Sequence, residues 1–286
     1  MKYINLIKFK HFFKNIIIFI PLILSFNHLS ILSLNKNIAM LFLANFIALC
    51  FVSQFVYMFN DYCDKNRDIG VKKNLFNSFK GKKNTYYLVA LVFLLFPYMI
   101  LSKNQIFYNT MQLITLYLIM NILYSLVLKK KFYFGLIFLS FFFVIRLCIG
   151  IKILNYKITD FLLQILIIFF GALYIGVAKR YKYIKTNSDL FNQKEKVIRS
   201  IFKNLFIIVN VLMLYFLFSN QNLKSTFLDQ NLIIYKKILL SIFFIYGITI
   251  FRNKVKNNSK CADFINIILE RKILIIAIFF IVVYIL

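Results

Sequence analysis

The chain has no tryptophan, two prolines, seven glycines, two histidines, four cysteines and only nine acidic residues among 286. Each scarcity excludes something. Cys50, Cys63, Cys148 and Cys261 fall in different segments without a CxxC spacing, which argues against a zinc site or a disulfide framework. His11 and His28 stand at opposite ends of the first apolar run, so one chain cannot build a histidine metal cluster. Both prolines, Pro21 and Pro97, lie inside apolar runs, where the expectation is a kinked helix rather than a terminated one. The few acids stand against 36 Lys and Arg, a formal net charge of +27. These cations sit between apolar runs rather than along one polar face, which removes the nucleic-acid reading that such a charge invites. Abundant Ile, Lys, Asn, Phe and Tyr fit an AT-rich coding sequence, so the lysine count and the 19% aromatic share carry little signal by themselves.

What is abundant is apolar sequence. The chain is 62% hydrophobic with a mean hydropathy of +0.79, against the roughly 45–50% apolar usage of soluble domains. A bilayer core of about 30 Å takes about 20 apolar residues in a helix. Runs of that kind predict spans at 14–34, 38–59, 85–102, 106–128, 132–151, 160–178, 202–219, 232–250 and 271–286. The expectation is an all-α polytopic bundle of nine transmembrane helices forming one membrane-embedded domain over 1–286, with residues 1–15 a cytosolic entry to the first span. With the N-terminus inside, the inner segments 1–14, 60–84, 129–131, 179–203 and 252–272 hold 28 Lys and Arg, and the outer connections hold 7. That bias favours a cytosolic N-terminus. The two long connections, 60–84 and 179–203, both fall on the inner face, where chemistry is expected.

Three of the nine acids, Asp61, Asp64 and Asp68, occur within eight residues at the end of the second span. Spacings of three and four place all three on one helix face. Carboxylates so close repel unless a cation sits among them, and Mg²⁺ is the natural one because it takes carboxylate and phosphate oxygens together. The bland alternative is a solvated helix end neutralised by Lys65 and Arg67. Arg146 lies about 14 residues into the fifth span, where an arginine costs roughly 2.5 kcal/mol or more unless paired or facing a cavity. Its alternative is snorkelling outward near Lys152. Gly171 and Gly176 are expected to allow close helix packing.

Asn60-Asp61-xx-Asp64-xxx-Asp68 resembles the NDxxDxxxD motif of the UbiA superfamily of intramembrane prenyltransferases, as do the span number and the motif's place after the second helix. The resemblance implies a helical bundle around a lipid-accessible cavity, with Mg²⁺ held by Asn60, Asp61, Asp64 and Asp68 and a diphosphate donor near the cytosolic end. Ring-prenylating members carry a second aspartate-rich motif after span six. Here that stretch reads Ala178-Lys179-Arg180-Tyr181, which looks like the Gly-Lys-Arg-Tyr of the polyprenyl-phosphate phosphoribosyltransferase branch. His11-Phe12-Phe13-Lys14-Asn15 with Pro21, Tyr124-Ser125-Leu126-Val127-Leu128-Lys129 and Gly247 to Arg252 resemble further segments of that branch.

The resemblance implies Mg²⁺-dependent transfer of a 5-phosphoribosyl group from phosphoribosyl pyrophosphate to a polyprenyl phosphate for envelope glycolipid or polysaccharide synthesis. The place would be a bacterial inner membrane, the site facing the cytosol. Asp61, Asp64, Asp68, Lys179 and Arg180 take catalytic roles in that reading, and Lys14, Asn15, Tyr124, Lys129, Arg146 and Tyr181 bind substrate. Lys129 has an alternative as a plain positive-inside lysine, and Tyr124 and Tyr181 as interfacial anchors. After Asp68 the chain departs from the branch: Ile69-Gly70-Val71-Lys72-Lys73 and onward to Gly81 stands where the branch has His-Pro, basic residues and Arg-Pro-Ile. Two other functions compete. One is isoprenoid transfer to an aromatic quinone or haem precursor, disfavoured by the missing second aspartate motif. The other is a lipid carrier, disfavoured by the absence of an internal repeat and by acids at a helix end rather than mid-span.

Overall fold

The computed structural model describes residues 9–25, 36–65, 83–101, 105–185, 192–219, 230–257 and 270–285. Among them there is no strand, as expected where lipid satisfies no backbone group and each segment must bond internally. A 3₁₀ segment, Phe9–Phe19, leads into α1 (Ile20–Ser25). There follow α2 (Lys36–Cys63), α3 (Lys83–Leu101), α4 (Gln105–Leu126), α5 (Phe132–Ile153), α6 (Leu162–Lys185), α7 (Asn192–Ser219), α8 (Gln230–Asn257) and α9 (Arg271–Ile285). Among the described residues, five helical stretches are long and apolar enough to cross a membrane: Asn37–Cys63, Tyr133–Ile153, Ile158–Tyr181, Lys196–Ser219 and Leu232–Lys256. Phe12–Ser25 and Asn84–Ile100 are shorter apolar helices. Large side chains such as Leu88, Met99, Val211 and Ile278 are exposed around them, as in an integral membrane protein.

The first predicted span differs from a single kinked helix. Pro21 sits at the second position of α1, where its missing N–H is no loss, and the chain before it winds as 3₁₀ instead. Pro97 does lie inside a helix, in the last turns of α3. Helix α5 ends in a Schellman turn: Asn155 takes φ 59°, Tyr156 N donates to Ile151 O and Asn155 N to Lys152 O.

The chain divides into two compact units, residues 1–22 with 32–160 and residues 23–31 with 161–286. In the first, α2 packs on α3, α4 and the 3₁₀ segment, and α5 packs on α4 and the same segment. Its core gathers Ile18, Phe42, Leu49, Val52, Ile114, Tyr117, Phe142 and Ile149. Gly150 sets the approach of the 3₁₀ segment, since a Cβ there would lie 2.1 Å from the carbonyl oxygen of Ile18. Gly171, expected to be a packing glycine, has nothing within 4 Å of its would-be Cβ. In the second unit α6 packs on α7, α7 on α8 and α8 on α9. Tyr174 stacks on Phe202 at 4.8 Å, and Tyr181 stacks on the same ring at 5.6 Å.

Candidate active site

The acidic motif closes α2. Asp64 N donates to Asn60 O at 3.0 Å, so helical spacing holds through Asp64 before Lys65 tightens back to Tyr62 O. Asp61 is buried, and its charge is close enough to act on the Tyr86 phenol, which donates to the Met58 carbonyl. Asn60 Nδ2 donates to Asp64 Oδ2 at 3.3 Å. Lys129, from the 3₁₀ turn Leu128–Lys130, donates to Asn60 Oδ1 at 3.1 Å and forms an ion pair with Asp64. One ammonium thus joins two oxygens of the motif, a specific placement that a generic positive-inside lysine does not require. Asp68 lies outside the described residues.

A second polar centre lies about three helical turns back along α2, roughly 16 Å by helical rise from Asp61 to Cys50. Arg146 is only 3% exposed. Its Nε donates to Asn15 Oδ1 at 2.9 Å, Nη2 to the Tyr117 hydroxyl at 2.7 Å and Nη1 to Phe142 O at 3.1 Å. It is therefore turned into the unit and does not snorkel. Asn15 Nδ2 donates to Cys50 Sγ at 3.3 Å, and the Ser53 hydroxyl reaches both Asn15 Oδ1 at 3.4 Å and the Tyr117 hydroxyl at 3.3 Å. Lys14 lies over the Tyr57 ring at 5.9 Å. The two centres are linked by a stripe on α2, where Cys50, Ser53, Tyr57, Asn60, Asp61 and Asp64 recur at intervals of about one turn.

Of the site residues expected from sequence, Asn60, Asp61, Asp64 and Lys129 come together at the end of α2, and Lys14, Asn15 and Arg146 come together around Tyr117. Tyr124 packs edge-on against Phe142 at 5.7 Å, beside the carbonyl that receives Arg146. Lys179, Arg180 and Tyr181 belong to the second unit, where Lys179 is exposed, Arg180 half-buried and Tyr181 buried against Phe202. Tyr117 and Ser53 were not anticipated. The signal available for Ser53 was the turn-spaced polar series on α2.

Among the described residues no three His, Cys, Asp or Glu side chains form a metal-holding group. The donors present are Asn60 Oδ1 and the carboxylates of Asp61 and Asp64, all hard oxygens. That set fits Mg²⁺, which binds through one or two carboxylates while taking phosphate and water oxygens for the rest. Lys129 Nζ already brings positive charge to two of these side chains.

Neither a protein-family model nor a curated protein matches the sequence. The fold is similar to that of a UbiA homolog from Archaeoglobus fulgidus, with a TM-score of 0.63 and 15% sequence identity, over 99% of this chain and 98% of that one. The chain therefore has the UbiA-type membrane fold.

Proposed function

We propose that this chain is a Mg²⁺-dependent intramembrane transferase that moves a 5-phosphoribosyl group from phosphoribosyl pyrophosphate to a polyprenyl phosphate. In this reading it spans a bacterial inner membrane nine times, with its N-terminus and acidic site on the cytosolic side. The observation that carries the transferase reading is the oxygen set of Asn60, Asp61 and Asp64, bridged by Lys129 at the end of a polar stripe in an otherwise apolar UbiA-type bundle. The choice of donor rests on Lys179-Arg180-Tyr181, standing where ring-prenylating members resemble one another in a second acidic motif.

Asn60, Asp61, Asp64 and Asp68 would hold Mg²⁺, which when bound neutralises charge on the leaving diphosphate. On the strength of the resemblance, Lys129, Lys179 and Arg180 are proposed as phosphate-binding cations, a role that is strongest where water is scarce. Lys14, Asn15, Tyr124, Arg146 and Tyr181 position the substrates. The bond from the anomeric carbon to the diphosphate breaks with its electron pair on the diphosphate, and an oxygen of the lipid phosphate forms the new bond from the opposite face. That oxygen is ionised at neutral pH, so no protein base is needed.

The test is transfer of label by purified protein given Mg²⁺, a short polyprenyl phosphate and ribose-labelled phosphoribosyl pyrophosphate. Label is expected in the lipid, and Asp64→Asn is expected to lower the rate at least about 100-fold while the protein stays monodisperse. Label arriving only from an isoprenyl diphosphate would overturn the donor assignment. Wild-type turnover in Asp64→Asn would overturn the metal site.

A further inference from the structure

Three helices of the second unit meet at one tyrosine. Helices α6, α7 and α8 pack pairwise on one another. Tyr174 on α6 is only 2% exposed, its ring stacked on Phe202 of α7 at 4.8 Å. The rings of Phe206 on α7 and Phe251 on α8 lie 6.3 Å and 5.8 Å from it, centre to centre. Arg252, next to Phe251 on α8, lays its guanidinium 4.3 Å from the centre of the same Phe206 ring. One phenylalanine thus borders both the tyrosine and the guanidinium, and the charge of Arg252 reaches the Tyr174 phenol.

Both polar groups are donors that lack an acceptor. The Tyr174 hydroxyl and Arg252 Nε are buried, and neither has a hydrogen-bond partner among the described residues. Glu270, a carboxylate of this unit, is engaged by Lys254. A buried O–H or N–H that has given up water costs free energy until an acceptor replaces it, and a charged donor costs more. Aromatic packing accounts for the rings and leaves these two atoms unexplained.

The missing partner is an oxyanion that can reach two helices at once. A carboxylate presents two oxygens in one plane, which a guanidinium fork fills by itself. A phosphate monoester has a third oxygen left for the tyrosine. Arg252 is half-buried, so its guanidinium keeps an open side. It stands four residues inside the end of the apolar stretch Leu232–Lys256, about 6 Å by helical rise, which is close to headgroup level.

We infer that Tyr174 and Arg252 form a binding site for a phosphate monoester at the junction of α6, α7 and α8. The guanidinium donates to two phosphate oxygens through Nε and a neighbouring Nη, and the Tyr174 hydroxyl donates to the third. The site gives a role to Arg252, which closes the segment from Gly247 and which the proposed reaction leaves unused. It draws on no residue of the acidic motif and does not depend on the identity of the donor. A polyprenyl phosphate and a soluble sugar phosphate present the same group to it.

The experiment is thermal unfolding of the full chain in detergent, with a chelator present so that metal at the acidic motif does not contribute. The ligands are a short polyprenyl phosphate, the matching uncharged polyprenol and ribose 5-phosphate. A phosphate monoester is expected to raise the wild-type transition: the lipid if a headgroup is the source, ribose 5-phosphate if a soluble molecule is. Polyprenol should leave it unchanged. Without ligand, Tyr174→Phe should unfold at the wild-type temperature or above, since the lost hydroxyl had no partner, and it should weaken phosphate binding at least about tenfold. Arg252→Gln should weaken binding likewise, and Tyr215→Phe, at an exposed position on α7, should change neither reading. A lower ligand-free transition in Tyr174→Phe would show that the hydroxyl is already satisfied and would overturn the site. Unchanged affinity in Tyr174→Phe, an equal response to polyprenol, or no response to either phosphate would overturn it as well.

Discussion

Arg146 is a cation in an apolar helix whose hydrogen-bond acceptors, Asn15 Oδ1, Phe142 O and the Tyr117 hydroxyl, are all neutral. The guanidinium also lies 4.9 Å from the centre of the Tyr117 ring and 5.1 Å from that of Phe143. The guanidinium donates from three separate nitrogens spread over a plane and so reaches acceptors farther apart than the three protons on one ammonium nitrogen can. Arg146→Lys should therefore destabilise the protein by about 1–3 kcal/mol, because at least one buried acceptor loses its donor. Thermal unfolding in detergent measures this, and an unchanged transition would mean that charge alone suffices there. The burial of an arginine in a predicted span was legible in the sequence, and so were Lys14 and Asn15 from a local resemblance. Tyr117 was not, since it is one of 18 tyrosines and its partners lie 29 and 64 residues away. Pairings across helices leave no local pattern to read.

The 3₁₀ segment and α5 depend on each other through one small residue. A Cβ at Gly150 would sit 2.1 Å from Ile18 O and 3.1 Å from Pro21 Cδ, and neither the backbone oxygen nor the ring can rotate away. Gly150 lies one turn from Arg146, so this close approach also brings Asn15 within hydrogen-bond reach of the guanidinium. Gly150→Ala should cost about 1–3 kcal/mol by overpacking and should lower activity as Asn15 leaves Arg146. Gly171→Ala meets open space and should be neutral or stabilising by up to about 1 kcal/mol. Comparing the two variants by thermal unfolding and turnover checks the argument; equal behaviour would refute it. From sequence, Gly171 stood out as a packing glycine and Gly150 did not. A helical glycine's role is set by the surface opposite it, here a carbonyl more than 130 residues earlier in the chain. Helix positions were more readable, because an apolar run long enough for a bilayer has few other structures open to it.

At the scale of the molecule, the helices overrun their apolar stretches unequally. On the side proposed as cytosolic, α2 continues to Cys63, α6 to Lys185 and α8 to Asn257, and α7 begins at Asn192, ten residues before its predicted span at 202. At the opposite side, α3 ends at Leu101, α7 at Ser219 and α5 at Ile153, within about two residues of the predicted limits. A helix of 28 residues is about 42 Å long and exceeds a core of about 30 Å, so its surplus must stand in the headgroups or in water. That surplus is rich in Lys and Arg, which propagate helices well and carry the 28-to-7 charge bias. Helix ends and apolar limits differ because hydropathy marks where the apolar run ends, whereas the backbone stays helical until a poor helix former or a turn stops it. In the orientation proposed from the charge bias, reporter fusions placed after Lys83 and after Lys203 should read cytosolic, and one placed after Leu286 should read external. A cytosolic signal from the last fusion would remove one crossing from the nine-span arrangement. Cytosolic signals lost at both loops would invert the topology and place Asp61 and Asp64 away from any cytosolic diphosphate.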